Sequence, residues 1–193
     1  QTLNSIDIEK EGLMDFGKPG NYFERQVGRW IMQYRAAETE IYPEIESLIT
    51  WLEDNMPSDD GMISIVHGDY RLYNMIFSHS GNKILAVLDW ELSTIGHPYA
   101  DLAYQCMNWY IPKIGITPGL YGLNLEGTGI PTEEEYIESY CNKMGIDHIP
   151  NWPFYLAFGF FRLAGIAQGV YKRSIMGNAS AKNAGELGAA VPI

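Results

Sequence analysis

The sequence predicts a mainly helical α+β domain with one small β-hairpin insertion. Apolar residues recur at three- and four-residue spacing before residue 54 and again after residue 99. Between these stretches lie three short apolar runs, Met62–Val66, Asn74–Phe77 and Ile84–Leu88. The last two are joined by Ser78-His79-Ser80-Gly81-Asn82-Lys83, whose small polar residues read as a hairpin turn. A composition that is 46% hydrophobic and 13% aromatic can fill a real core. A chain of 193 residues is close to one domain in length, so residues 1–193 are expected to form a single domain with its chemistry in 62–103.

The elements follow in order. Residues 1–22 form a lead-in whose stretch Gly17-Lys18-Pro19-Gly20-Asn21 is dense in turn formers. From Tyr22, Phe23, Val27, Trp30, Ile31 and Tyr34 share one helix face. A second helix follows Pro43, with Ile45, Leu48, Ile49 and Leu52 on its apolar side, and stops in the breaker cluster 54–61. After the β segment the pattern turns helical from Tyr99 to about Trp109, then a Gly-, Pro- and Thr-rich loop fills 111–132. Thr132 and Glu135 have the spacing of a capping box that opens a helix to about Met144. A long aromatic helix from Trp152 to about Ile175 precedes an Ala/Gly/Asn-rich tail.

Thirteen basic residues stand against 24 acidic ones, a net charge of −11. That balance argues against sequence-independent binding to nucleic acid or to an anionic membrane, both of which need clustered Lys and Arg. Two cysteines, Cys106 and Cys141, make neither a disulfide framework nor a thiolate metal site, and a reducing, cytoplasmic setting is expected. No apolar run reaches the ~18–20 residues of a membrane span. The chain starts at Gln1 with no charged-then-apolar leader and no initiator Met, so no signal peptide is expected and the chain reads as a piece of something longer.

The most informative residues lie in the β segment: His67-Gly68-Asp69-Tyr70-Arg71-Leu72-Tyr73-Asn74, then, after fourteen residues, Asp89-Trp90-Glu91. Asp69, Asn74 and Asp89 each flank an apolar run. Two carboxylates and an amide form an all-oxygen set that suits Mg²⁺. The spacing Asp-x-x-x-x-Asn, then a hairpin and a second Asp, is also the layout of a kinase catalytic loop with its metal-binding Asp. In that chemistry one Asp takes the proton of an attacking hydroxyl, while the Asn and second Asp hold the metal against nucleotide phosphates. A transition-metal hydrolase site from His67, Asp69, Asp89 and His97 is the poorer alternative, because it leaves the Asn and the spacing unexplained.

The segment resembles the aminoglycoside phosphotransferase and choline kinase-like family, relatives of the protein kinases. His67-Gly68-Asp69 with Asn74 is similar to the family's His-Gly-Asp-x-x-x-x-Asn, and Leu88-Asp89-Trp90-Glu91 to its metal motif. Gly96-His97-Pro98-Tyr99-Ala100-Asp101-Leu102-Ala103 is similar to its Gly-Asp-Pro-x-x-Asp-Leu-Ala, with His97 where relatives often have Asp. Residues 17–26, Gly17-Lys18-Pro19-Gly20-Asn21-Tyr22-Phe23-Glu24-Arg25-Gln26, further resemble the branch associated with acyl-CoA dehydrogenases.

The resemblance implies the C-terminal lobe of the protein kinase-like fold. It implies Asp69 as catalytic base, Asn74 and Asp89 as Mg²⁺ and nucleotide ligands, and His67 and Asp101 as braces of the catalytic loop. Glu91 would serve substrate or the metal's surroundings, and Arg71 would meet a phosphate or pair with an acid. Arg162, set in an apolar helix, is either paired with a buried acid or aimed at an anionic acceptor. The expected activity is transfer of the γ-phosphate of ATP, with Mg²⁺, to a small-molecule hydroxyl.

The family's N-terminal lobe, with its nucleotide-covering loop and phosphate-binding Lys, is expected to be absent. Only 66 residues precede His67, without a strand-Lys-strand pattern, and Lys18 sits in a Pro/Gly turn. No Gly-x-x-x-x-Gly-Lys-Ser/Thr loop is present either. The rival expectation is therefore a catalytically silent lobe that serves as a binding or dimerisation module, as a homodimer or with a separate N-terminal lobe.

Overall fold

The computed structural model describes residues 1–81, 83–113 and 119–177. In chain order the elements are α1 (Tyr22–Ala37), α2 (Pro43–Asp54), β1 (Ser64–Val66), β2 (Met75–Phe77), β3 (Ile84–Val87), β4 (Thr94–Gly96), α3 (Tyr99–Cys106), α4 (Glu133–Met144) and α5 (Trp152–Ile175). Short 3-10 turns at Leu3–Ser5, Leu72–Asn74, Trp90–Leu92 and Met107–Trp109 connect them. This is the mixed, mainly helical α+β composition the sequence predicts. The Ala/Gly/Asn-rich tail and residues 114–118 of the long loop lie outside the described residues.

The chain divides into two compact units. The first comprises Gln1–Gly20 and Asp60–Trp152. Here one correction applies: the β structure is not a single hairpin insertion but two separate two-stranded sheets. β2 and β3 form the expected hairpin, with Met75 opposite Val87 and Ile76 opposite Ala86. β1 pairs antiparallel with β4, Ile65 opposite Ile95. A three-residue strand with one apolar side chain, Ile95, carries no period-2 signal, so β4 is invisible to pattern reading. The lead-in covers this second sheet: Ile8 is buried with Ile65 and Ile95, and Ile6 and Leu13 pack against them. Gly17 lies so close that a Cβ there would stand 2.4 Å from Thr94 Oγ1, which requires glycine.

The other helices of this unit follow local rules. Thr132 and Glu135 form the full capping box at the start of α4: the Thr132 hydroxyl accepts from Glu135 N–H, and the Glu135 carboxylate accepts from Thr132 N–H. Gly145 ends α4 in the left-handed conformation. The thiols of Cys106 and Cys141 are buried and free, and burial raises the pKa of both, so neither is a nucleophile near neutral pH.

The second unit comprises Asn21–Asp59 and the chain from Pro153 onward. Phe23 of α1 meets Phe154, Tyr155 and Phe158 of α5, with ring centroids 5.5, 4.9 and 5.5 Å apart. Tyr34 and Phe161, both fully buried, continue the seam. α2 contributes Ile45, Ile49 and Leu52, and its Glu46 pairs with Arg35 of α1. Gln168 of α5 is fully buried and donates to Ala37 C=O and Thr39 Oγ1 beyond α1. Among the described residues no helix is long and apolar enough to cross a membrane.

These observations set a stability contrast. Phe161→Ala should cost about 3–5 kcal/mol through lost burial and a cavity. Thr132→Ala, which removes one exposed cap, should cost about 1 kcal/mol. Urea unfolding followed by circular dichroism measures both.

Candidate active site

β1 is buried at all three residues and delivers the chain into His67 as an anchored strand. Gly68 then takes φ +83°, and a Cβ there would stand 2.6 Å from Leu92 C=O. Only glycine passes this point without moving the 3-10 turn that ends at Leu92. The turn is held from behind by Asp101, near the start of α3. Its carboxylate accepts from His67 N–H at 2.6 Å and from Gly68 N–H at 2.9 Å. Asp101 is buried, so these two charge-assisted bonds replace its lost hydration.

His67 is fully buried, and both ring nitrogens are engaged. Nε2 donates to Leu88 C=O at 2.9 Å, and Nδ1 accepts from Asp69 N–H at 3.2 Å. That pattern describes one neutral tautomer tying three points together, and it leaves no nitrogen for proton transfer. Trp90 closes over the ring, with centroids 4.7 Å apart and its own indole N–H donating to Val87 C=O at 2.8 Å. Reading residues along the chain gives Trp90 no role. Its place in the Asp89-Trp90-Glu91 motif is the signal that could have found it.

Asp69 and Asn74 meet directly. The Asn74 amide nitrogen donates to Asp69 C=O at 2.9 Å and to Asp69 Oδ2 at 2.8 Å. Flipping the amide would set its oxygen against two acceptors, so the orientation is determined by the network. Both amide hydrogens are used inward, and among the described residues no donor reaches Asn74 Oδ1. Arg71 adds a third contact, Nη2 standing 3.0 Å from Asp69 Oδ2, with Arg71 half exposed and Asp69 only 13% exposed. Of the two alternatives for Arg71, the structure shows the acid pair.

Asp89 follows the rung in which Leu88 N–H donates to Asn74 C=O at 2.8 Å. It therefore lies at the same end of the β2–β3 hairpin as Asn74. Its backbone is left-handed, φ +65° and ψ +58°, a conformation that Asp tolerates better than most residues and that concentrates at functional sites. Its side chain is exposed, and among the described residues it has no donor. A free amide oxygen and a free carboxylate, fixed at one end of a hairpin beside a second carboxylate, fit a hard, oxygen-seeking cation such as Mg²⁺. The ring nitrogens of His67 and of His97 are each engaged with protein partners, which disfavours the hydrolase alternative.

Glu91 is exposed in the 3-10 turn after Asp89. Arg162 belongs to the second unit, where its guanidinium lies over the Trp30 ring, 5.4 Å from the centroid. His97 is buried, its Nε2 3.3 Å from Asp60 Oδ2 and its Nδ1 accepting from Tyr99 N–H. The Tyr70 phenol has a raised pKa, through burial first and the Asp101 charge second, and is no base near neutral pH.

A strand leading into a braced Asp…Asn loop, a hairpin, and a second Asp before the bracing helix together define a kinase-like phosphotransferase fold. The comparisons with known proteins agree. The chain belongs to the phosphotransferase enzyme family (APH), which it matches over residues 1–135. It superposes on the crystal structure of a candidate aminoglycoside phosphotransferase from Ralstonia eutropha JMP134 with a TM-score of 0.92 and 46% identity, covering 98% of this chain and 58% of that one. It is 49% identical to acyl-CoA dehydrogenase family member 10 of Mus musculus, over 96% of this chain and 17% of the relative. It is 43% identical to acyl-CoA dehydrogenase family member 11 of Homo sapiens, over 94% of this chain and 23% of the relative. The chain thus spans about a fifth of the length of these curated relatives.

The brace makes a direct prediction. Asp101→Asn can accept from one of the two N–H groups but turns an N–H₂ toward the other. Loss of a charge-assisted buried bond should speed amide hydrogen exchange at His67 and Gly68 by about ten- to a hundredfold. Two-dimensional NMR exchange measurements read both amides.

Proposed function

We propose that this chain carries the base and the metal ligands of an ATP- and Mg²⁺-dependent phosphotransferase acting on a small-molecule hydroxyl. The observation that carries the reading is the orientation of Asn74: both amide hydrogens held by Asp69, and its oxygen left open one rung from Asp89. Asn74 and Asp89 would hold Mg²⁺, which when bound neutralises phosphate charge. Asp69 orients the acceptor hydroxyl and receives its proton. The acceptor oxygen forms a bond to the γ-phosphorus as the bond to the bridging β–γ oxygen breaks, and ADP leaves. His67, Trp90 and Asp101 keep the loop in place, so catalysis rests on positioning and charge.

For the acceptor, the relatives named as acyl-CoA dehydrogenase family members favour a hydroxyl carried on an acyl thioester. The aminoglycoside named for the solved neighbour is the other class, and a net charge of −11 suits such a cation. The two free, buried thiols fit a reducing cytoplasmic setting.

A second reading, a silent lobe that docks another chain, is favoured by one observation. The hairpin and its flanks expose Leu72, Tyr73, Ile76, Phe77, Ile84, Leu85 and Leu88, a concentration of apolar surface uncommon on an isolated domain.

Thermal-shift and calorimetric titration with Mg·ATP separate the two. The phosphotransferase reading expects a shift that requires Mg²⁺ and is abolished in Asp89→Ala. Asp69→Asn should keep nucleotide binding and lower phosphoryl transfer by about 10²- to 10⁴-fold. No binding by the wild-type chain would favour the silent module.

A further inference from the structure

Within the first unit a cavity of about 470 Å³ opens beside Tyr70, and none of Asp69, Asn74 and Asp89 lines it. Its volume is that of a small-molecule site. Two helix faces build it. Asp101 and Gln105 face it from α3, and Tyr136, Tyr140 and Lys143, at three- and four-residue spacing, face it from α4. Ile84 and Val87 of β3 supply apolar wall.

The polar groups of this cavity are of two kinds. Tyr140 is committed: its O–H donates to Asn4 Oδ1 at 3.3 Å, and Asn4 Nδ2 donates on to Ser64 Oγ at 3.1 Å. Gln105 is not: its Oε1 is buried, and among the described residues no donor reaches it. A buried amide oxygen without a donor carries its desolvation cost in full, which an apolar side chain would avoid. The phenols of Tyr70 and Tyr136 have no hydrogen-bond partner among the described residues, and burial first of all raises the pKa of both, so they remain neutral O–H donors. Lys143 is exposed, in the last turn of α4. The helix end alone accounts for a lysine there, but not for an orphan amide oxygen in the same cavity.

Charge sets the direction of an occupant. The buried Asp101 carboxylate repels an anion from the inner end, and Lys143 attracts one to the outer end. Gln105 Oε1 calls for a donor inside, and apolar wall with phenol rings suits a ring between the two. We infer that this cavity binds a small aromatic carboxylate bearing a hydroxyl or amino donor, the donor on Gln105 Oε1 and the carboxylate on Lys143, and that its occupancy tightens the Asp101 brace. The side chain of Asp101 that lines the cavity is the one that accepts from His67 and Gly68 N–H. An occupant seated against it is lost when the brace opens, so binding holds the turn that aims Asp69. This site stands without the phosphotransferase reading.

The test titrates 4-hydroxybenzoate into the whole chain by two-dimensional NMR, with benzoate and phenol as probes that lack one of the two groups. Wild type should show saturable shifts at Tyr70, Gln105, Tyr136 and Lys143, with a dissociation constant on the order of 1 mM, as open to so small a ligand. Benzoate and phenol should each bind about five- to tenfold more weakly. Gln105→Met should weaken 4-hydroxybenzoate by about tenfold while keeping or raising the thermal midpoint, because it removes the orphan oxygen at near-constant volume. Lys143→Gln should weaken it by about fivefold. At ten times the dissociation constant, amide exchange at His67 and Gly68 should slow by about tenfold. No saturable shift in wild type overturns the inference, as do shifts confined to the Asp69–Asn74–Asp89 end of the hairpin. Binding that neither variant weakens places the probe elsewhere and overturns it too. Binding that leaves exchange at both amides unchanged overturns the link to the brace.

Discussion

The site depends on one buried carboxylate. Asp101 binds two successive backbone N–H groups, those of His67 and Gly68, across more than thirty residues of chain. Two adjacent N–H groups can point the same way only where the chain turns sharply, and the glycine at 68 with positive φ makes that turn. The turn in turn aims Asp69. Burial makes the arrangement close to all-or-none: a carboxylate out of water is tolerable with both donors and costly with one. The strand, glycine, Asp69 and bracing helix therefore form one mechanical unit.

A second layer of ties joins Asp69 to the hairpin. His67 spans from Asp69 N–H to Leu88 C=O, and Leu88 N–H reaches Asn74 C=O. A displacement of the hairpin is therefore felt at Asp69 through an imidazole and at Asn74 through a ladder bond. Rigid coupling of this kind suits chemistry whose rate depends on alignment more than on intrinsic reactivity.

How much of this was legible in the sequence depends on distance along the chain. α1, α2, α4 and α5 announce themselves through apolar spacing, Pro43 at a helix start and the Thr132/Glu135 box, all signals within a few residues. The Asp69–Asn74 contact is equally local, since a five-residue loop brings its ends together. Distant pairings were not readable from residue patterns. β4 is a strand only because β1 lies beside it, and His97 is buried through Asp60 and its neighbours, 37 residues upstream. Arg162 lies over Trp30, which no spacing rule connects to it. The pairing of Asp101 with the loop entered through family resemblance, since a lone Asp near a helix start reads first as a cap.

The amide at position 74 bears on which side chains the loop can accept. By affinity for a cation alone, a third carboxylate there would serve better than a neutral carboxamide. Yet Asn74 presents two hydrogens to Asp69, and an ionised acid of the same shape would face that residue with like charge and nothing to donate. The loop thus trades affinity for any cation it would hold for an attractive contact with Asp69. A single-atom exchange of nitrogen for oxygen, such as slow hydrolytic ageing of the amide would produce, would turn the tie between residues 69 and 74 into a repulsion with almost no change in the volume of the side chain.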